Sequence, residues 1–426
     1  MPIRHLAGAL LLAAALPAIS HAVEPNTELE IVYSSAGGDP LHDAAIDRDG
    51  NIILNGARGN SSGPTSNSYY LAKYDSYGRE IWNRSYSTGY GSSVSPSSKI
   101  TVSREGDIYM VLSESYTFGR IVRYDADGNA TVLTPGESVP YSWEKRVGLV
   151  LGDDGSLYLR AANSVRKYDA NGTQLWNKRL FSHYASWVRD ILLDDAGNVY
   201  AVGRAWGAAT STHDLYVVKY DPAGNELWTY RYNHGAIAES LAARLDSAGN
   251  LVVFGQGAVT IDNYDMLLLR LAPDGSLLSV NPQDFGGPDS AIDFELDELD
   301  NAYVLVRNAG DFVTAKLDPY GARLWSARLD AGSDDRPGGI DVNPLGTVVV
   351  SGSTGYNHYS QQLLTVSYDT DGNELWRRQE AGRNILGGWV EFGRTGEVYA
   401  GGWSTPNSSG DSFMFRYRLC PCTACQ

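Results

Sequence analysis

Short runs of alternating apolar and polar residues, rich in Val, Ile, Leu and Tyr, follow one another along most of the chain. A two-residue alternation places one face of an extended segment inward and the other outward, so each run predicts a half-buried β-strand. The runs are separated by turns of the type Asp-x-x-Gly. There Asp accepts backbone N–H bonds and Gly supplies a positive φ, which predicts antiparallel hairpins.

Two hairpin motifs alternate. The first is strand, Asp-x-x-Gly-Asn turn, strand, as in AAIDRDGNIILNG (44–56), ILLDDAGNVYAVG (191–203) and ARLDSAGNLVVFG (243–255). Its turn glycines are Gly50, Gly106, Gly155, Gly197, Gly249, Gly346 and Gly396, with Asp300 in the sixth copy. The second is Lys-Tyr-Asp-x-x-Gly followed by a strand that usually carries Trp, as in AKYDSYGREIW (72–82) and VKYDPAGNELW (218–228). Its central residues are Tyr74, Tyr124, Tyr168, Tyr220, Leu271, Leu317, Tyr368 and Tyr417. Each motif therefore recurs eight times, with a period of about 49 residues.

Two hairpins per period make a four-stranded antiparallel unit that cannot bury both faces alone, so neighbours must stack. The expected fold class is all-β, an eight-bladed β-propeller of four-stranded blades. The alternative is seven blades, with the Leu271 or Leu317 copy serving as a loop insertion. The last repeat stops at its third strand, FRYRL (415–419). Leu29 lies as far before Asp47 as Trp176 and Trp228 lie before Asp194 and Asp246, so residues 28–34 are the expected N-terminal strand closing the last blade. That arrangement also protects an otherwise open edge.

The half-repeat DDAGNVYAVG resembles the bacterial secreted propeller repeat often called SBBP, and YDPAGNELW with YDTDGNELW resembles the tryptophan-docking repeats of quinoprotein-type propellers. The resemblance covers essentially the whole chain after the leader and implies a propeller. Propellers of this kind serve as enzymes, scaffolds and binding discs, so it implies no single function. Many quinoproteins carry an adjacent Cys pair and a calcium-bound quinone. This chain has no adjacent Cys pair, and no site residue carries over.

Residues 1–22 place Arg4 before the apolar run 6–16, then Pro17 and Ser-His-Ala, the layout of a signal peptide cleaved after Ala22. The run is too short to cross a bilayer. The expectation is a secreted or periplasmic protein, with the propeller domain spanning 23–419 and a short tail at 420–426. With 34 Lys plus Arg against 50 Asp plus Glu the net charge is −16, which argues against nucleic acid as a partner. No transmembrane segment is expected.

Candidate chemistry is sparse. Trp82, Trp176, Trp228, Trp325 and Trp376 share one offset from a turn glycine, which points to packing between blades. Trp143, Trp187, Trp206, Trp389 and Trp403 fall outside that offset. With Tyr90, Tyr184, Tyr356 and Tyr359 they are the candidates for a face that stacks on a sugar or peptide; the alternative is that they plug the channel. Four residues before the turn Asp stand Asp43, Lys99, Gly148, Asp190, Ala242, Asp293, Gly339 and Trp389. Asp43, Asp190 and Asp293 around one axis are the donor type for calcium; alternatively they are solvated, with Lys99 as counter-charge. The DRDGN, DADGN and DTDGN runs lack the spacing of a calcium loop and read as hairpin turns.

The five histidines after the leader show no H-x-x-x-H pair, and spacing names no acid–base constellation. Cys420, Cys422 and Cys425 all lie in the tail CPCTACQ. In an exported chain they predict a disulfide, a disulfide-linked oligomer through the tail, or capture of a soft metal; clipping of the tail is a further alternative. The functional expectation is a binding or assembly module that engages a protein or extracellular glycan through its loop faces. The alternative is a channel-mouth enzyme, either a quinoprotein-like oxidoreductase or one acting on polysaccharide.

Overall fold

The computed structural model describes residues 25–34, 40–60, 63–87, 99–113, 119–134, 148–161, 163–180, 186–207, 212–260, 263–331, 335–355, 361–381, 384–404 and 410–418. Every regular element among them is a β-strand. The strands pair into six four-stranded antiparallel sheets and one eight-stranded sheet, the latter being two four-stranded runs joined by a single parallel bridge between His213 and Ile237. In chain order, units 1 to 7 span residues 41–87, 101–132, 148–179, 187–232, 237–283, 289–329 and 336–380. Unit 8 takes three strands from 385–418 and its fourth from Asn26–Tyr33. That strand pairs antiparallel with Ser412–Arg418, from Asn26 opposite Arg418 to Tyr33 opposite Ser412, as the spacing of Leu29 predicts.

The turns show why the sequence folds this way locally. Asp47 N–H donates to the Asn51 carbonyl at 2.9 Å, and Gly50 N–H to the Asp47 carbonyl at 3.0 Å. The Asp47 carboxylate accepts the backbone N–H groups of Asp49 at 2.9 Å and Asn51 at 2.8 Å, and the Asn51 amide at 2.9 Å. The same pair of backbone bonds closes fifteen hairpins, from Asp47 to Gly396. Where the sixth copy has Asp300 at φ 62, its side chain accepts the Ser247 N–H of the neighbouring turn at 2.8 Å, which offsets the strained backbone. Because both hairpins of a unit turn at the same end, the short turns share one face. The connections between second and third strands, and between units, lie on the opposite face, here called the loop face.

Eight apolar clusters hold the units together, each spanning two consecutive units. The one that includes Ile31, Tyr33, Leu54, Tyr70 and Met414 joins unit 8 back to unit 1. No sheet closes on itself, so the circuit is completed by side-chain packing. At this junction the Tyr33 and Tyr70 rings stack at 3.8 Å, and the Tyr70 hydroxyl lies 2.7 Å from the Ser412 hydroxyl.

The repeat tryptophans sit at these junctions, as expected. Nε1–H of Trp82, Trp228 and Trp325 donates to a turn carbonyl of the next unit, Ala126 at 2.9 Å, Pro273 at 3.0 Å and Thr370 at 2.9 Å. Each indole lies under the glycine of that turn, and Leu29 takes the same place under Gly78 at the closing junction. A Cβ on Gly372 would lie 2.6 Å from Trp325, at a φ of +84. Gly249 has a similar φ of +76 and nothing within 4 Å. Gly372→Ala is therefore expected to destabilise by ~2–4 kcal/mol and Gly249→Ala by only ~1–2 kcal/mol, the difference being the steric part. Urea melts of the two variants check this; equal losses would mean that the indole yields freely.

Candidate functional site

Two of the predicted tryptophans converge on the loop face of unit 4. Trp187 opens the unit's first strand and Trp206 ends its second, and antiparallel pairing brings both to the same end. His213, starting the third strand, joins them: its ring stacks on Trp187 at 6.4 Å and meets Trp206 edge-on at 4.9 Å. The Arg204 guanidinium lies 4.0 Å from the centre of the Trp187 ring, a cation–π contact. Arg204 and Arg189 both reach Glu239 of unit 5, at 3.0 and 3.3 Å, and Gln256 donates to the same carboxylate at 3.0 Å. Glu239 is buried, so these donors offset the loss of its hydration. The result is a rigid aromatic and cationic platform in which Trp187 is buried and Trp206 half-buried.

The other predicted aromatics divide differently. Trp389 and Trp403 pack, half-buried, against the cluster between units 8 and 1, so both support ring closure. Trp143, Tyr90, Tyr184, Tyr356 and Tyr359 lie outside the described residues, as do Cys420, Cys422, Cys425 and the leader. The residues missed from sequence are His213, Arg204, Arg189 and Glu239. Only Arg204 has a counterpart in another unit, Arg307 of unit 6, so periodicity did not bring the four together; their position toward the loop-side ends of strands marks them.

The first strands of successive units lie against one another and so form the inner wall. Asp43, the residue four before its turn Asp, accepts the Ile100 N–H of the next unit's first strand at 2.7 Å. Asp190 accepts the Ala243 N–H at 3.2 Å in the same way, and lies 3.9 Å from Arg244. Asp293 accepts its own chain's Phe294 N–H at 2.9 Å. The three carboxylates do not form a group with oxygens within 4.8 Å of one another, so the calcium expectation meets no shared ligand position there. Two of them instead fasten neighbouring inner strands. Among the described residues, the carboxylate triads that do meet that distance are Asp265–Asp284–Asp289 and Asp311–Asp330–Asp335, at the loop-face ends of the junctions between units 5 and 6 and between 6 and 7.

Residues two further along the inner strands point to the same side and were missed: Arg244, Glu295, Asp341 and Glu391. Arg244 pairs with Glu295. Asp341 accepts the Phe392 N–H of the next unit at 2.6 Å, a third inter-strand staple. Burial pushes Asp43, Asp293 and Asp341 up to about 6; Lys99 opposes this at Asp43, Arg244 at Asp293, and backbone N–H groups at Asp341. Glu391 is pushed up to about 8 by burial and then by the charges of Asp341 and Asp43. Residues 59–63 carry the spacing Gly-x-Ser-x-Gly, and Ser61 and Ser62 of that run lie outside the described residues.

No protein-family model matches the chain, and no curated protein sequence matches it. Solved structures do. Sqt1 from Chaetomium thermophilum superposes with a TM-score of 0.62 at 11% identity, covering 93% of this chain and 100% of that one. A eukaryotic initiation factor follows with a TM-score of 0.51 at 11% identity, covering 88% and 85%. A catalytically inactive virginiamycin B lyase from Staphylococcus aureus superposes with a TM-score of 0.47 at 8% identity, covering 92% and 99%. Together with the circuit of four-stranded units, the first two likenesses define the class: the chain is a β-propeller. At such identities the likeness extends to the fold alone. No helix among the described residues is long and apolar enough to cross a membrane.

Proposed function

We propose that the chain is an exported, eight-bladed β-propeller that acts as a binding or assembly module, holding a protein or extracellular glycan on its loop face. The observation that carries this reading is the convergence of Trp187, Trp206 and His213 beside Arg204. An indole edge and face held by a fixed cation suits stacking on the apolar side of a sugar ring or on an aromatic side chain. The eight blades rest on the eight four-stranded units. Export and the SBBP resemblance rest on the leader and on the half-repeat motif.

Trp206→Ala is expected to weaken ligand binding tenfold or more with little change in melting temperature, because this side chain is only half-buried. Screening on a glycan array, followed by calorimetry on the hits, checks it. Hits whose affinity is untouched by Trp206→Ala and by Arg204→Ala would overturn the loop-face reading. N-terminal sequencing of the exported protein is expected to begin at Val23.

A further inference from the structure

The turn face, opposite the platform, carries a second concave site. A cavity of about 400 Å³ is lined by Arg48, Arg104 and Arg394 together with Ile46, Asp47 and Val102. The three arginines come from three different units that are neighbours around the circuit, 1, 2 and 8. Each stands at the same place, one residue after the position that opens the first turn of its unit: Asp47, Ser103 and Gly393. The other units place Asp153, Asp195, Ser247, Glu298 and Pro344 there. The inner rim of the turn face thus has one basic sector, and the remaining positions are acidic or uncharged.

Three like charges around one cavity repel one another, and a chain with 50 acidic residues has ample means to pair them. It pairs most of its other described arginines: Arg244 with Glu295, Arg270 with Asp246, Arg328 with Asp311, Arg377 with Glu374. Arg48, Arg104 and Arg394 make no hydrogen bond or ion pair among the described residues. The one acid in the cavity wall does not neutralise them. Asp47 is buried, and its carboxylate is taken up by Lys73 at 2.9 Å, by the N–H groups of its own turn and by the Asn51 amide. Asp49 and Glu105, exposed in the same turns, do not line the cavity.

We propose that this cavity binds a tetrahedral oxyanion, a phosphate or sulfate group, free or as an ester. Guanidinium forks present paired N–H donors that match such oxygens, and a divalent anion relieves the repulsion of three fixed cations at once. The concave wall strengthens the local field in a protein whose overall charge would otherwise repel anions. This site lies on the face opposite the aromatic platform and stands independently of what that platform binds.

The test is a titration of the full exported chain with inorganic phosphate and, separately, sulfate. Ionic strength is held constant with chloride, and the readouts are calorimetry and melting temperature. Saturable binding is expected for both anions, at least tenfold weaker for Arg104→Ala and for Arg394→Ala, and partly retained by Arg104→Lys, which keeps the charge and loses the fork. The three side chains are exposed on turns, so the folded fraction is checked by circular dichroism; the Lys variant carries the test if an Ala variant unfolds. Parallel arms with a phosphate and a sulfate monoester of one sugar identify the bearer of the group. No saturable binding, equal binding by the Ala variants, or equal binding of acetate would each overturn the proposal.

Discussion

A chain that lacks residues 25–34 is expected to lose its cooperative thermal transition, or to melt more than ~10 °C below the full-length chain. The strand removed is the fourth of unit 8. It buries Ile31 and Tyr33, each contributing about 2 kcal/mol by burial alone. It also supplies Leu29 beneath the Gly78 turn and Glu28 to Arg416 and Arg418, at 3.4 and 3.6 Å. Its loss leaves Ser412–Arg418 as an open edge and removes one side of the cluster that joins units 8 and 1. An open edge of this kind pairs with other chains, so aggregation on heating should accompany the loss. Scanning calorimetry of the truncated chain reads the effect. A synthetic peptide of residues 25–34 added in trans should restore part of it, because the missing contacts are backbone pairing and two side-chain anchors. An unchanged melting temperature would show that the circuit does not depend on this strand.

That closure was legible in the sequence because its signal is local and repeated. Each hairpin is specified by a few residues, Asp to accept the turn N–H groups and Gly to take the positive φ, and the copies reinforce one another. The offset of Trp228 from the turn was enough to place Leu29, although Leu and Trp share only bulk. Where a copy departs from the motif, the structure shows a neighbour making good the difference, as Ser247 does for Asp300. The functional face was legible only in part. Trp187 and Trp206 stood out because they fall outside the repeat, but so did Trp389 and Trp403, which pack in a junction. What separates the pairs is the company of His213, Arg204 and Glu239, which depends on contacts between strands and units that no spacing within one repeat encodes. The arginine cavity was missed for the same reason. Its three members are far apart in the chain and become neighbours only when units 8, 1 and 2 meet.

The inner wall shows how a correct geometric inference acquires a different chemical meaning, and it leads to a measurable pH dependence. The strand before each turn does face inward, but Asp43, Asp190 and Asp341 are spent on holding the N–H groups of adjacent inner strands. Around them stand Lys99, Arg244, Asp293, Glu295 and Glu391, and burial raises several of these acids well above their unfolded values. A carboxyl whose pKa is higher folded than unfolded binds more protons in the native state, so its contribution is complete at low pH and is lost as pH rises through the folded value. For Glu391 that loss runs between about 4.5 and about 8. For Asp43, Asp293 and Asp341 it runs between 3.8 and about 6. The turn aspartates act in the opposite sense. At Asp47 and Asp194 burial alone would raise the carboxyl, but the turn's Asn side chain and a lysine overcome it and hold it below its ordinary value, so their contribution is lost as pH falls below 3.8. Stability should therefore peak near pH 4 and decline toward pH 9. Glu391→Gln removes the largest alkaline loss while keeping the shape of the side chain. It is expected to leave the melting temperature at pH 4 unchanged and to raise it at pH 9 by about 3 °C, from a linkage of ~3 kcal/mol shared with Asp341 and Asp43. Melting curves of both proteins across that range decide the matter. A wild-type curve that rises from pH 4 to pH 9, or a Gln variant parallel to it, would mean that the inner-wall acids are solvated and their protons play no part in holding the blades together.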